Sequence, residues 1–168
     1  LAYGPRLGRS NRTEHAMPLR TRIGDALKQA MRDRDAGRLS TLRLINAAIK
    51  DRDIALRGQG GDVEVSDAEI LGILGKMVKQ RQESARAYEE GGRLELAEKE
   101  LSEIKIINDF LPRQLSDAEA SDAVDAAIGE VGAQSIRDMG KVMGVLKAKY
   151  TGQMDFAKAG PLVKSKLG

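Results

Sequence analysis

The sequence predicts an all-α protein: an N-terminal four-helix domain followed by a small three-helix C-terminal domain. Three observations carry that prediction. Aromatic residues make up only 3% of the 168 residues, and alanine and leucine are abundant, a balance that favours helix over sheet. Apolar residues recur at three- and four-residue spacing through seven stretches. Between those stretches stand the Ser, Asp, Gly and Pro signals that start and stop helices.

Residues 1–16 show no periodicity and hold Gly, Pro, Ser and Asn. They read as a disordered leader, with Met17-Pro18-Leu19 as a natural start. The leader lacks the apolar core of a secretory signal. Its three arginines allow a weaker targeting reading, against which stands the missing amphipathic pattern. It also holds His15, the only histidine, far from any partner that would make it a metal ligand or a base.

The N-terminal domain is expected over 17–112. Its first helix runs from about Arg20 to Asp35, on a stripe of Leu19, Ile23, Ala26, Leu27, Ala30 and Met31, and Gly37 ends it. The second, about Arg38 to Leu56, turns Leu42, Ile45, Ile49 and Leu56 inward. It leaves Arg43, Lys50, Asp51, Arg52 and Asp53 on its other faces. The short link makes the two an antiparallel hairpin. Gly58 to Asp62 is a loop. It is not a phosphate cradle, because no strand precedes it and no Gly-Lys-Ser/Thr follows.

Ser66 and Glu69 form a capping box for the third helix, which reaches about Glu90 with Ile70, Leu74, Met77, Val78, Ala85 and Tyr88 inside. Lys76, Lys79, Arg81 and Arg86 make its outer face a candidate basic surface, diluted by Glu83, Glu89 and Glu90. The fourth helix, Arg93 to Leu111, carries Leu94, Ala97, Leu101, Ile104, Ile107 and Leu111 inward. Its glutamates alternate with lysines and suit i,i+4 pairing on a wet face better than buried acid–base work.

Phe110 to Ser116 reads as the domain joint, since Pro112 disfavours helix before it. The C-terminal domain is expected over 116–168. A capping box of Ser116 and Glu119 starts the fifth helix, Asp117 to Val131, with Val124, Ala127, Ile128 and Val131 inward and Gly132 as its stop. The sixth runs from Ser135 to Tyr150. Ser135 and Asp138 are its cap, and Ile136, Met139, Met143, Leu146 and Tyr150 its stripe. Gly140 and Gly144 share one face and cost about 1 kcal/mol each relative to alanine. Two readings fit them: a tight helix–helix crossing, or a flat patch that admits a nucleic-acid backbone. A last short helix, capped by Asp155 or beginning near Gly160 because of Pro161, carries Phe156, Leu162, Val163 and Leu167.

Charge is unevenly placed. The net charge is +3. Residues 116–138 hold six acids against Arg137, and residues 139–168 hold six lysines against Asp155. The basic half suits phosphate, while pairing with the acidic half would leave only solvated helix faces. There are no cysteines, which excludes disulfides, zinc ribbons and thiol chemistry and fits a reducing compartment. No apolar run is long enough to cross a membrane.

The segments A-G-R-L-S-T-L-R-L-I-N-A-A-I-K (36–50), V-K-Q-R-Q-E-S-A (78–85), F-L-P-R-Q-L-S (110–116) and D-M-G-K-V-M-G (138–144) occur in this order. With them the chain resembles the GatB/YqeY family, of the stand-alone YqeY-like type. The resemblance implies a helical N-terminal domain and a C-terminal domain similar to the tail of the B subunit of aspartyl/glutamyl-tRNA amidotransferase, where it touches tRNA. A related module is appended to some glutaminyl-tRNA synthetases. The shared motif falls on Asp138, Gly140, Lys141, Gly144 and Lys147, and Lys149, Lys158 and Lys164 lie in the basic segment after it. Where many relatives have Ala-Asp-Gly, this chain has Met154-Asp155-Phe156.

The expected function is that of a non-catalytic tRNA-binding accessory protein in the cytoplasm, with Lys141, Lys147, Lys149, Lys158 and Lys164 on phosphates and no cofactor or metal. An aminoacyl-tRNA synthetase or amidotransferase is the expected protein partner, and no membrane. The alternatives are a helical adaptor for a synthetase or ribosomal partner, and a carbon–nitrogen ligase with glutamine as amido-N-donor. The ligase reading comes from family association alone, because no nucleophile, base or phosphate loop stands in context.

Overall fold

The computed structural model describes residues 17–60 and 64–168. The expected leader, His15 and part of the loop after Gly60 lie outside the described residues. Among the described residues there are seven α-helices, one 3-10 turn and no strand. The chain divides into two compact units that part between Phe110 and Leu111.

The first unit contains α1 (Leu19–Asp33), α2 (Ala36–Arg57), α3 (Asp67–Glu90) and α4 (Leu94–Asn108). Its core gathers Ile23, Leu42, Ile45, Ile49, Ile70, Leu74 and Ile107, all fully buried. Each such side chain contributes about 1.5–3 kcal/mol by leaving water. The expected stripes hold at these positions and fail at Met31, Leu94 and Leu101, which are exposed. The expected break at Gly37 is also corrected. The chain turns at Arg34, which takes a left-handed conformation (φ 54°), while Gly37 lies inside α2. The turn holds because the Arg34 and Asp35 N–H groups donate to the carbonyls of Met31 and Ala30, closing orphan acceptors of α1. The Asp35 side chain then caps α2 by accepting from the Arg38 N–H at 3.1 Å.

Polar ties complete the unit. Asp53, expected on a wet face, is only 7% exposed. It accepts from both Arg20 Nη atoms at 2.9 Å and from the Val65 N–H at 3.0 Å, so one carboxylate joins α1, α2 and the approach to α3. The Arg20 guanidinium, then the Val65 N–H, hold the Asp53 carboxyl below its ordinary value. The Arg81–Glu103 pair, 2.8 Å apart with both side chains mostly buried, ties α3 to α4. Half of the expected capping box at α3 forms, with Ser66 accepting from the Glu69 N–H at 3.2 Å. The Glu69 carboxylate faces Arg52, 3.7 Å away.

The second unit contains α5 (Asp117–Val131), a 3-10 turn (Ile136–Asp138), α6 (Met139–Tyr150) and α7 (Phe156–Leu167). Its core is a small knot of Ala123, Val124, Ala127, Val142, Leu146 and Val163. The capping box of Ser116 and Glu119 is complete in both directions. Arg113 adds a two-pronged contact, and together with the Ser116 N–H it brings the Glu119 carboxyl down to about 2. The last helix begins at Phe156, not near Gly160. Asp155 accepts from the Ala157 N–H at 2.9 Å and starts it early enough to include Pro161. The proline costs only the bond that would have reached Ala157, on a side open to water.

Asp53→Ala leaves the Val65 N–H and the Arg20 guanidinium without their acceptor. Thermal unfolding of that variant should fall several degrees below wild type, and an unchanged midpoint would contradict the role given to Asp53. Folding lowers the Asp53 pKa. Its contribution is therefore present above the ordinary aspartate range and is lost as pH falls through the folded value. Removing the carboxylate should accordingly flatten the acid limb of stability against pH.

Candidate nucleic-acid interface

The geometry of α6 follows from what its sequence buries. Val142 and Leu146 reach zero exposure, with Met139, Met143, Val145 and Tyr150 packed around them. Ile136 is exposed, contrary to the expected stripe, because the chain enters α6 through the 3-10 turn and not through a longer α-helix. Ser135 caps that turn, its Oγ accepting from the Arg137 N–H at 3.4 Å. Asp138 reaches backward, accepting from the Gln134 N–H at 3.0 Å. That bond, followed by the Ser135 N–H and the nearby Lys141, lowers the Asp138 pKa. The two expected cap residues therefore brace the entry, and the α-helix itself begins at Met139.

Burying Val142 and Leu146 turns Gly140 and Gly144 to solvent. A Cβ built on either glycine meets nothing within 4 Å. The tight-crossing reading is thus corrected: no helix of this unit comes close to that face. At about 100° per residue, Gly144 lies midway between Lys141 and Lys147, about 60° from each. Ala148 continues the low strip one turn on. The result is a shallow floor of small residues with one exposed lysine on either flank.

The other predicted lysines do not join them. Lys149 donates to Glu130 of α5 at 2.6 Å, and that carboxylate raises its pKa. Lys166, which the sequence reading did not single out, donates to Asp125 of the same helix at 2.7 Å. The acidic and basic halves of the unit are therefore partly zipped together. Lys158 and Lys164 are exposed on α7, six residues and so about 120° apart, which sends them to different flanks. Among the described residues no ion pair holds Lys141, Lys147, Lys158 or Lys164. On α3, Arg81 belongs to the pair with Glu103, which removes it from the candidate basic surface. No group of three or more His, Asp or Glu able to hold a metal occurs among the described residues. No described helix is long and apolar enough to cross a membrane.

The family model described as Yqey-like protein matches residues 20–167. The chain is also similar to "Altered inheritance of mitochondria protein 41, mitochondrial" of three yeasts. It is 33% identical to that of Vanderwaltozyma polyspora over 85 residues, 51% of this chain and 44% of that protein. It is 38% identical to that of Clavispora lusitaniae over 85 residues, 51% and 46% of the two chains. It is 29% identical to that of Lachancea thermotolerans over 105 residues, 62% and 53% of the two chains. The chain thus spans about half the length of these curated relatives.

Because nothing crowds Gly144, Gly144→Ala should stabilise the protein by about 0.5–1 kcal/mol through helix propensity alone. Chemical denaturation measures this, and a loss of stability would restore the tight-crossing reading.

Proposed function

The chain belongs to the YqeY-like protein family, and we propose that it works as a non-catalytic RNA-binding accessory protein, with folded tRNA as its ligand. The observation that carries the reading is the empty space over Gly140 and Gly144. Glycines that cost helix stability, touch no neighbour and stand between two unpaired lysines suit close approach of a phosphate backbone. Lys141 and Lys147 would flank that backbone, and Lys158 and Lys164 would extend the positive field. Lys149, neutralised by Glu130, contributes less than its sequence position suggests. Binding would read charge and shape more than bases, since few aromatic side chains are available for stacking.

The same proposal includes three finer points. The two compact units act as separate domains, four helices and three. The second is akin to the amidotransferase tail, which supplies the link to tRNA. The compartment is the cytoplasm, as expected from the sequence. The relatives carry "mitochondrial" in their own names, and a mitochondrial tRNA pool would offer the same chemistry. An amide-transfer activity would need a nucleophile and a base within reach of each other, and the proposal includes neither.

A protein partner is the second reading, favoured by Leu94 and Leu101. These stand one heptad apart on α4 and are 64% and 43% exposed. An adaptor would hold such a partner after nuclease treatment.

Replacing Lys141 and Lys147 together by glutamate should abolish binding to bulk tRNA at low salt in a gel-shift assay. Wild type should bind, and its log–log salt slope should be about 0.7–0.9 per phosphate contact. Wild type that fails to bind tRNA at low salt would refute the reading.

A further inference from the structure

We propose that the outer face of α2 is a second phosphate-binding row, which receives the backbone of folded RNA through Arg43, Lys50 and Arg57. It rests on the RNA-binding reading above but uses a different unit and different residues.

The three cations are spaced seven residues apart. On an α-helix that places them about 10.5 Å apart along the axis, with a drift of about 20° per step. They therefore form one nearly straight row about 21 Å long. All three are exposed, and among the described residues none makes an ion pair. The contrast with the other two arginines of α2, Arg38 and Arg52, is what gives the row meaning. Arg20, Arg38, Arg52 and Arg81 each face a carboxylate, Asp53, Asp109, Glu69 and Glu103 in turn. The fold thus neutralises four of its arginines and leaves this line of charge open.

What stands between the cations supports the same ligand. Ala47 and Ile54 fill the positions along the row, both exposed, Ile54 at 65%. Asp53 lies beside the line between Lys50 and Arg57 and feels the Arg57 charge, but its oxygens are taken by Arg20 and the Val65 N–H. Asp51 points about 100° away from Lys50 around the helix, and Asp53 is buried under Arg20. A small alanine leaves room for a backbone between the first two charges. Two of the three are arginines, whose planar forks suit phosphate oxygens. A lipid surface fits less well. A helix lying in a membrane interface inserts a broad apolar face, and the apolar face of α2 is already buried through Leu42, Ile45 and Ile49.

The test uses the full chain, bulk tRNA and two salt concentrations, with fluorescence anisotropy as the readout. The triple variant Arg43→Gln, Lys50→Gln, Arg57→Gln keeps good helix formers in place. Its log–log salt slope should be shallower than wild type by about 2 to 3, the value for three lost phosphate contacts. A second variant, Ile54→Glu, adds a carboxylate to the row without removing a cation. It should weaken binding about two- to fivefold at low salt. If both variants bind as wild type does while Lys141→Glu, Lys147→Glu does not, the row is refuted and the reading of α6 stands. If wild type does not bind tRNA at all, both are refuted. Wild type that binds phosphatidylserine vesicles and not tRNA would overturn the proposal in favour of a membrane surface.

Discussion

One small apolar knot decides what the second unit can present to the outside. Val124, Val142, Leu146 and Val163 all reach zero exposure, and together they set the rotation of α5, α6 and α7 about their own axes. Once Val142 and Leu146 point inward, Gly140 and Gly144 must point outward, because they lie on the opposite side of the same helix. The open glycine strip is thus a consequence of core packing. Losing part of that knot would cost a few kcal/mol and would also release the orientation on which the surface depends.

The N-terminal unit is organised by a different kind of constraint. Asp53 sits where α1, α2 and the start of α3 meet, and its oxygens are taken by Arg20 and Val65. A carboxylate so placed is costly to bury unless every partner is present. The arrangement therefore ties those three segments to one geometry. It also leaves Arg43, Lys50 and Arg57 of α2, none of which makes an ion pair among the described residues, facing water.

Much of this was legible in the sequence. Seven amphipathic stretches became seven helices, and Ser66, Ser116 and Asp155 cap where their spacing with later residues suggested. Helix spacing alone found the buried faces of α1, α2 and α3. Other features were beyond the reach of pattern. Arg34 turns the chain because Asp35 caps the next helix better than Gly37 could end the last, a contest that propensity does not rank. Val142 was overlooked because the methionines beside it fit a period of similar phase. Asp53 looked like one more surface acid, since nothing local reveals a partner thirty-three residues away. The partial neutralisation of the C-terminal lysines by Glu130 and Asp125 depends on how α5 lies against α6 and α7, and a list of charges could not decide it. The glycine pair illustrates the limit best: spacing allowed either a crossing or an open patch, and only the empty space beside each glycine distinguished them.

The central claim is that the Gly140–Gly144 face of α6 is a landing surface for a polyanion. Amide chemical-shift mapping of the intact chain during titration with tRNA tests it most directly, because glycine amides are well separated and report the site itself. The Gly140, Lys141, Gly144 and Lys147 amides should shift at low salt and return as salt is raised. If those four amides stay in place while the tRNA binds elsewhere on the chain, this face of α6 is not the landing surface.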